Sequence, residues 1–183
     1  MLEAEDDDVR LDRRRVELDA RQFADQVDSV QFCLSKGLSA PVGSMLAAGR
    51  ERIEFGRRLR KALGGGMRQV GVIAAPGIVA LTEMVGRLAE DHRHARILAD
   101  GIAALEGVSL DPPQVDTNIV VFRVPSVAKA EALAGALAEK GVLISDFGGG
   151  RLRVVTHYGI SEADCRQAVA VMQSVWPPLW GQV

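Results

Sequence analysis

Between Asn118 and Trp176 the spacing of the apolar residues switches repeatedly between strand and helix periods. That alternation limits the fold more than any other feature of the chain. "NIVVFRV", residues 118–124, reads as a strand. In "VAKAEALAGALAEKG", residues 127–141, Ala130, Leu133, Ala134 and Leu137 form one helical stripe, and Gly141 is placed to cap its end. "VLIS", 142–145, and "LRVVTH", 152–157, are short strands. Ser161 with Asp164 resembles a capping box, with Asp in place of Glu or Gln. Cys165, Ala168, Val169, Met172 and Trp176 then follow at i, i+3, i+4, i+7 and i+11. The βαββα order predicts a compact α+β unit, with helices on one face of a small, mostly antiparallel sheet.

Upstream the texture differs. Residues 1–25 form a charged segment, and 1–20 nearly lack bulky apolar side chains, which reads as a solvated end. "SVQFCL" and "SMLAA" read as two short strands around the turn material "GLSAPVGS". "GRERIEFGRRLRKAL", 49–63, predicts a basic helix buried through Ile53, Leu59 and Leu63, and stopped by the glycines at 64–66. Its arginines are offset by Glu51 and Glu54, so it reads as a solvated helix. Leu81, Val85, Leu88, Ala95, Leu98, Ile102 and Leu105 then predict a long helix, assigned to 76–107 and closed by "DPPQVDTN". The remaining boundaries are 26–75 before this helix and 108–183 after it.

Composition narrows the function. Of 183 residues, 25 % are charged and the net charge is −2, which does not favour nucleic acid or an acidic membrane surface as a partner. The N-terminus has no apolar signal region, and Pro76 and Glu83 cut the longest apolar run too short to span a bilayer. Cys33 and Cys165, far apart in apolar surroundings, read as buried thiols of a reduced cytoplasmic protein. His92 and His94 are two apart on a helix and point different ways, and His157 reads as a surface position at a strand end. No cluster has metal-ligand spacing.

One residue stands out chemically. Lys36 interrupts the apolar run "VDSVQFCLSKGLSAPVGSML", residues 27–46. A partly desolvated ammonium there loses pKa, and the neutral amine becomes a nucleophile able to form a Schiff base with a carbonyl. The flanking glycines let a bulky group approach the backbone. The residues alone reach imine chemistry and no further.

The segment "DSVQFCLSKGLSAPVGSML" also resembles the cofactor-lysine region of the threonine aldolases, in the β-eliminating lyase group of fold-type I pyridoxal-phosphate enzymes. "RRLRKALGGGMRQVGVIAAPGIVAL", "LAEDHRHARILADGI" and "LRVVTHYGISEAD" agree with the same family in order and spacing. The resemblance covers roughly residues 26–176. It implies an α/β, pyridoxal-phosphate-dependent transferase-like fold, incomplete here: a cofactor-lysine hairpin, a long interdomain helix and the small α+β domain. It implies cleavage of the Cα–Cβ bond of threonine-type β-hydroxy amino acids to glycine and an aldehyde. Pyridoxal 5'-phosphate is the implied cofactor, an amino acid the substrate, and a homo-oligomer, dimer or tetramer, the assembly.

Carried over by position, Lys36 matches the lysine that bonds the cofactor, and Arg153 the arginine that grips the substrate carboxylate. Arg68, in "GGGMRQ", matches an arginine near the active-site entrance and cofactor phosphate, with Lys61 in the same basic neighbourhood. "RLDRRRV", 10–16, resembles the family's "HLDGARV", making Asp12 the partner of the pyridine nitrogen and Arg15 a second carboxylate arginine. There arginine replaces histidine, and two arginines replace Gly-Ala. Members of the family are considerably longer, and their remaining part supplies the phosphate turn and the histidine stacked on the ring. The chain therefore reads as a truncated form, with large apolar faces exposed and prone to association. A non-catalytic fragment, or another fold-type I activity such as β-elimination or transamination, are the alternatives.

Overall fold

The computed structural model describes residues 20–180. Two compact units divide between Ala89 and Glu90.

In the first unit a short helix α1 (Ala20–Ala24) leads into an antiparallel hairpin of β1 (Ser29–Cys33) and β2 (Ser44–Ala48), registered Ser29 to Ala48 and Cys33 to Ser44. Helix α2 (Arg50–Ala62) follows, then α3 (Gly71–Thr82). The small core here is Leu34, Ala40 and Ala80, with Leu38 packed against it. Apolar periodicity overstates burial in this unit. No residue of α2 is buried: Ile53 is half-buried, and Leu59 and Leu63 are exposed. A stripe shows which side of a helix is apolar, not that something covers it. Cys33 is likewise exposed rather than buried, with the Ser44 hydroxyl donating to its sulfur at 3.5 Å.

The helical run expected from 76 to 107 comes in two pieces. Helix α3 starts earlier, at Gly71, and continues through Pro76, which has no N–H to give the preceding turn but leaves the other hydrogen bonds in place. The chain leaves the helix at Glu83 and re-enters at α4 (Leu88–Ala103). The intervening Gly86 is a weak helix former. Leu81 and Val85 are exposed, whereas Ala95, Leu98 and Ile102 of α4 are buried.

The second unit has the expected βαββα order, preceded by the two-residue strand β3 (Ser109–Leu110). Strands β4 (Ile119–Arg123), β5 (Ser145–Gly148) and β6 (Arg151–Val155) join it in an antiparallel sheet of order β3-β4-β6-β5. Helices α5 (Val127–Glu139) and α6 (Glu162–Trp180) complete the unit. Val120, Phe122, Leu152 and Val154 alternate onto the buried face and share one core with Leu133, Leu137, Met172 and Trp176. The strand expected at 142–145 forms three residues later. Val142 and Ile144 instead pack on the core from a connecting loop, with the Val142 N–H donating to Leu137 O.

The helix ends follow the sequence signals. Ser126 caps α5 by accepting from the Lys129 N–H, and Gly141 closes it at a φ of 79°. At the start of α6 the Asp164 carboxylate accepts from both the N–H and the hydroxyl of Ser161, at 2.9 and 2.6 Å. The Ser161 hydroxyl accepts in return from the Asp164 N–H. The Ser161 hydroxyl, then its N–H, holds the Asp164 carboxyl below its ordinary pKa. A depressed carboxylate stabilises the fold fully above its unfolded value, and the effect fades as pH falls through the lower folded value. Urea unfolding of Asp164→Asn should therefore show a stability deficit at pH 6 that closes below about pH 4. A deficit that does not narrow in acid would contradict this cap.

Gly101 is where α4 and α6 meet. A methyl there would lie 2.4 and 2.5 Å from the two Val169 methyls. Alanine gains about 1 kcal/mol of helix propensity, but overpacking costs about 1–3 kcal/mol or more. Gly101→Ala should lose about 1–2 kcal/mol net, and adding Val169→Ala should recover most of it in a double-mutant cycle. A stabilised Gly101→Ala would contradict the close approach.

Candidate functional site

Lys36 sits in the loop joining β1 to β2, and the chain around it is tightly tied. The Leu34 N–H donates to Gly43 O, extending the hairpin ladder by one bond. The Ser39 N–H donates to Lys36 O at 2.9 Å, closing a tight turn, and the Ala40 N–H returns to Leu34 O. Leu34 and Ala40 are buried, so the loop is pinned on both sides of the lysine. Leu34 rests against Gly77 of α3, where a methyl would come within 3.2 Å of its Cδ1. At Gly37 a methyl would lie 2.8 Å from Leu88 Cδ2, so a larger residue beside Lys36 would have to push the end of that side chain aside. Ser39 takes a φ of 59°, a left-handed conformation that costs a non-glycine residue about 1–2 kcal/mol. Such strain persists only where surrounding packing enforces it.

The Lys36 side chain itself is exposed, which corrects the partly desolvated amine expected from the apolar run. The apolar neighbours in sequence are spent on pinning the backbone, through Leu34, and leave the amine outside. The loop presents a nucleophilic group from a fixed backbone.

Arg68 lies between α2 and α3 and is exposed, as is Lys61 near the end of α2. The glycines that stop α2 let its basic side chains fold back over the loop. A methyl at Gly66 would lie 2.4 Å from Lys61 Cδ and 3.1 Å from its Nζ, and one at Gly65 would lie 2.8 Å from Arg60 Cγ. The Lys61 ammonium and the aliphatic stem of Arg60 therefore lie over the glycine backbone that follows α2. Asp12 and Arg15 lie outside the described residues.

In the second unit Arg153 projects from the sheet face opposite the helices, in register with Val121 of β4 and Ser145 of β5. Its neighbours Leu152 and Val154 point the other way, into the core. The Arg153 guanidinium carbon stands 5.3 Å from the Phe147 ring centroid, and that of Arg151 stands 5.3 Å from the same ring. The Arg153 Nε–H is buried and has no acceptor among the described residues. No carboxylate among them pairs with this arginine. Phe147 and Arg151 were not singled out from the sequence. Ser145 pairs with Arg153, so alternation along β5 puts Phe147 on the same face as the arginine, just before the pairing slips between Asp146 and Gly148. Gly148, Gly149 and Gly150 then run at positive φ, which only glycine adopts freely three times in succession. The "GGG" run was the one available signal of a tight connection there.

His157 is exposed, its Nδ1 2.7 Å from Tyr158 O. Thr156 is buried, its hydroxyl donating to Asp91 O at 2.6 Å, which ties the end of β6 to the start of α4. Cys165 is buried, and burial pushes its thiol pKa up, so it is a poor nucleophile. No helix among the described residues is long and apolar enough to cross a membrane.

Residues 10–125 match the model of the beta-eliminating lyase family. Low-specificity L-threonine aldolase 1 of Arabidopsis thaliana is 39% identical over 148 residues, covering 80% of this chain and 41% of its own length. The low specificity L-threonine aldolase of Escherichia coli (strain K12) is 39% identical over 150 residues, covering 82% of this chain and 43% of its own. The chain thus spans well under half the length of the curated relatives it matches. Among solved structures, a candidate L-allo-threonine aldolase from Listeria monocytogenes superposes with a TM-score of 0.74 at 17% identity. It covers 93% of this chain and 50% of that one. Serine palmitoyltransferase of Sphingomonas wittichii superposes with a TM-score of 0.70 at 19% identity, over 87% and 42% of the two chains. At these identities the structures show the shared fold.

Proposed function

The chain belongs to the beta-eliminating lyase family, and from that premise we propose that it is part of a pyridoxal-phosphate-dependent lyase. The reaction is cleavage of the Cα–Cβ bond of threonine-type β-hydroxy amino acids, giving glycine and an aldehyde. The observation that carries the reading is Lys36: an exposed primary amine on a loop whose backbone is pinned at Leu34 and Ala40. The chemistry of the first unit suits the cofactor, since it offers both an amine for its aldehyde and cations for its phosphate. When bound, pyridoxal phosphate supplies an electron sink for the pair released from the breaking bond.

In this reading Lys36 would hold the cofactor through its amine, and that amine is the group placed to carry a proton. Arg68, together with Lys61, would hold the cofactor phosphate near the entrance. Arg153 holds the substrate carboxylate through parallel N–H bonds, for which a planar guanidinium is shaped. By the resemblance, Asp12 would partner the pyridine nitrogen and Arg15 would assist the carboxylate. The domain reading places the cofactor lysine in 26–75 and the substrate arginine in 108–183. The protein works in the cytoplasm as a homo-oligomer. The exposed Phe32, Met45, Leu46 and Phe55 of the first unit support association, because apolar side chains so disposed favour a partner surface.

The test is release of glycine and acetaldehyde from L-threonine by the protein with added pyridoxal phosphate. Turnover supports the aldolase reading, and its absence favours a non-catalytic fragment. Pyruvate from serine, or keto-acid products, would redirect the reading to elimination or transamination. Arg153→Gln should raise KM for threonine about 10- to 100-fold, since hydrogen bonds to a charged group are worth about 1.5–3 kcal/mol. Unchanged KM would remove Arg153 from the site.

A further inference from the structure

We propose that Phe147 is a positioning residue for Arg153, fixing the plane in which its guanidinium meets a carboxylate. The inference rests on the carboxylate role of Arg153 given above. Three observations support it. The Phe147 ring lies within cation–π range of Arg153, at 5.3 Å from centroid to Cζ. The Arg153 Nε is buried without a partner among the described residues, which leaves the terminal nitrogens to meet a ligand. No carboxylate among the described residues orients this arginine, so the ring is the side-chain contact that sets its plane.

The local backbone holds the ring in place. The Asp146 carboxylate accepts from the Gly148 N–H at 2.7 Å, bracketing Phe147 inside the irregular pairing. Gly150 is buried, and a methyl on it would lie 3.2 Å from Val124 O, so the turn after Phe147 cannot easily be rebuilt with larger residues. Arg151 shares the ring but is turned toward its own strand end, its Nε donating to Gly148 O at 3.4 Å. Arg153 is therefore the guanidinium on this ring that stays available. An arginine side chain has several rotatable bonds, and holding its fork in one plane lowers the entropy lost when a carboxylate binds.

The test uses the isotope-labelled protein and glycine as the probe, followed through the backbone amides of Leu152–Val155. Glycine should shift these amides saturably. Phe147→Leu keeps an apolar side chain but removes the ring, and should weaken glycine binding about 3- to 5-fold. Phe147→Tyr keeps the ring and should stay within about 2-fold of wild type. The Arg153 Nε–H proton should resonate upfield of an ordinary arginine in wild type and Phe147→Tyr, and return to the ordinary position in Phe147→Leu. Arg153→Gln should weaken binding about 10-fold or more. If Arg153→Gln weakens glycine but Phe147→Leu does not, the positioning role is overturned and the carboxylate role stands. If Arg153→Gln has no effect, or glycine shifts none of these amides in wild type, the carboxylate role itself is overturned.

Discussion

Lys36→Ala should lose both the attached cofactor and catalysis, with kcat falling by on the order of 10³-fold or more. The size follows from two functions resting on one amine: attachment of the cofactor, and proton transfer worth about 10²–10⁴-fold in its own right. The same substitution should leave stability within about 0.5 kcal/mol of wild type, because the side chain is exposed and the loop is pinned by Leu34 and Ala40 instead. Loss of function with unchanged unfolding is the signature that separates chemistry from folding. Lys36→Arg should fail in the same way, since a guanidinium keeps the charge but has no nucleophilic amine at working pH. A Lys36→Ala protein that still shows the cofactor's absorption band would place the attachment elsewhere.

The largest stability effect is expected at Trp176. The residue is 2% exposed and belongs to the main core of the second unit. Its indole N–H donates to Glu106 O at 2.9 Å, tying α6 to the segment that follows α4. Trp176→Ala removes the largest side chain of that core and its hydrogen bond, and should cost about 3–5 kcal/mol. Against a typical total of about 5–15 kcal/mol, that change would leave the second unit marginal. Trp176→Phe should cost less, because the ring refills most of the space while the Glu106 carbonyl loses its donor. Urea unfolding followed by far-UV circular dichroism checks both. A Trp176→Ala midpoint near wild type would mean that the α6 stripe is not seated as described.

These two residues also mark what could be read in advance. In the second unit Ala130, Leu133, Leu137, Cys165, Met172 and Trp176 were legible because each stripe meets its covering surface within the same unit. Capping signals at Ser161 and Gly141 were legible because they act over three or four residues. In the first unit α2 carries an apolar stripe and α3 is apolar throughout, yet Leu59, Val72 and Ile78 are exposed, as is Leu63 just after α2. Periodicity carries no information about whether a face is covered. Lys36 was legible as a chemical group, but its exposure was not, because the burial of its neighbours belongs to the backbone turn. Phe147 was illegible for a different reason. The strand expected at 142–145 ends before Phe147, whereas β5 runs Ser145–Gly148, and alternation from Ser145 then puts the ring on the arginine face.

The central claim is that Lys36 is the cofactor lysine. The direct measurement is to mix the protein with pyridoxal phosphate, reduce with borohydride, digest, and map the added mass by peptide. The account predicts the mass on the peptide containing Lys36, at close to one per chain. Modification of Lys61, Lys129 or Lys140 with Lys36 left free would contradict it.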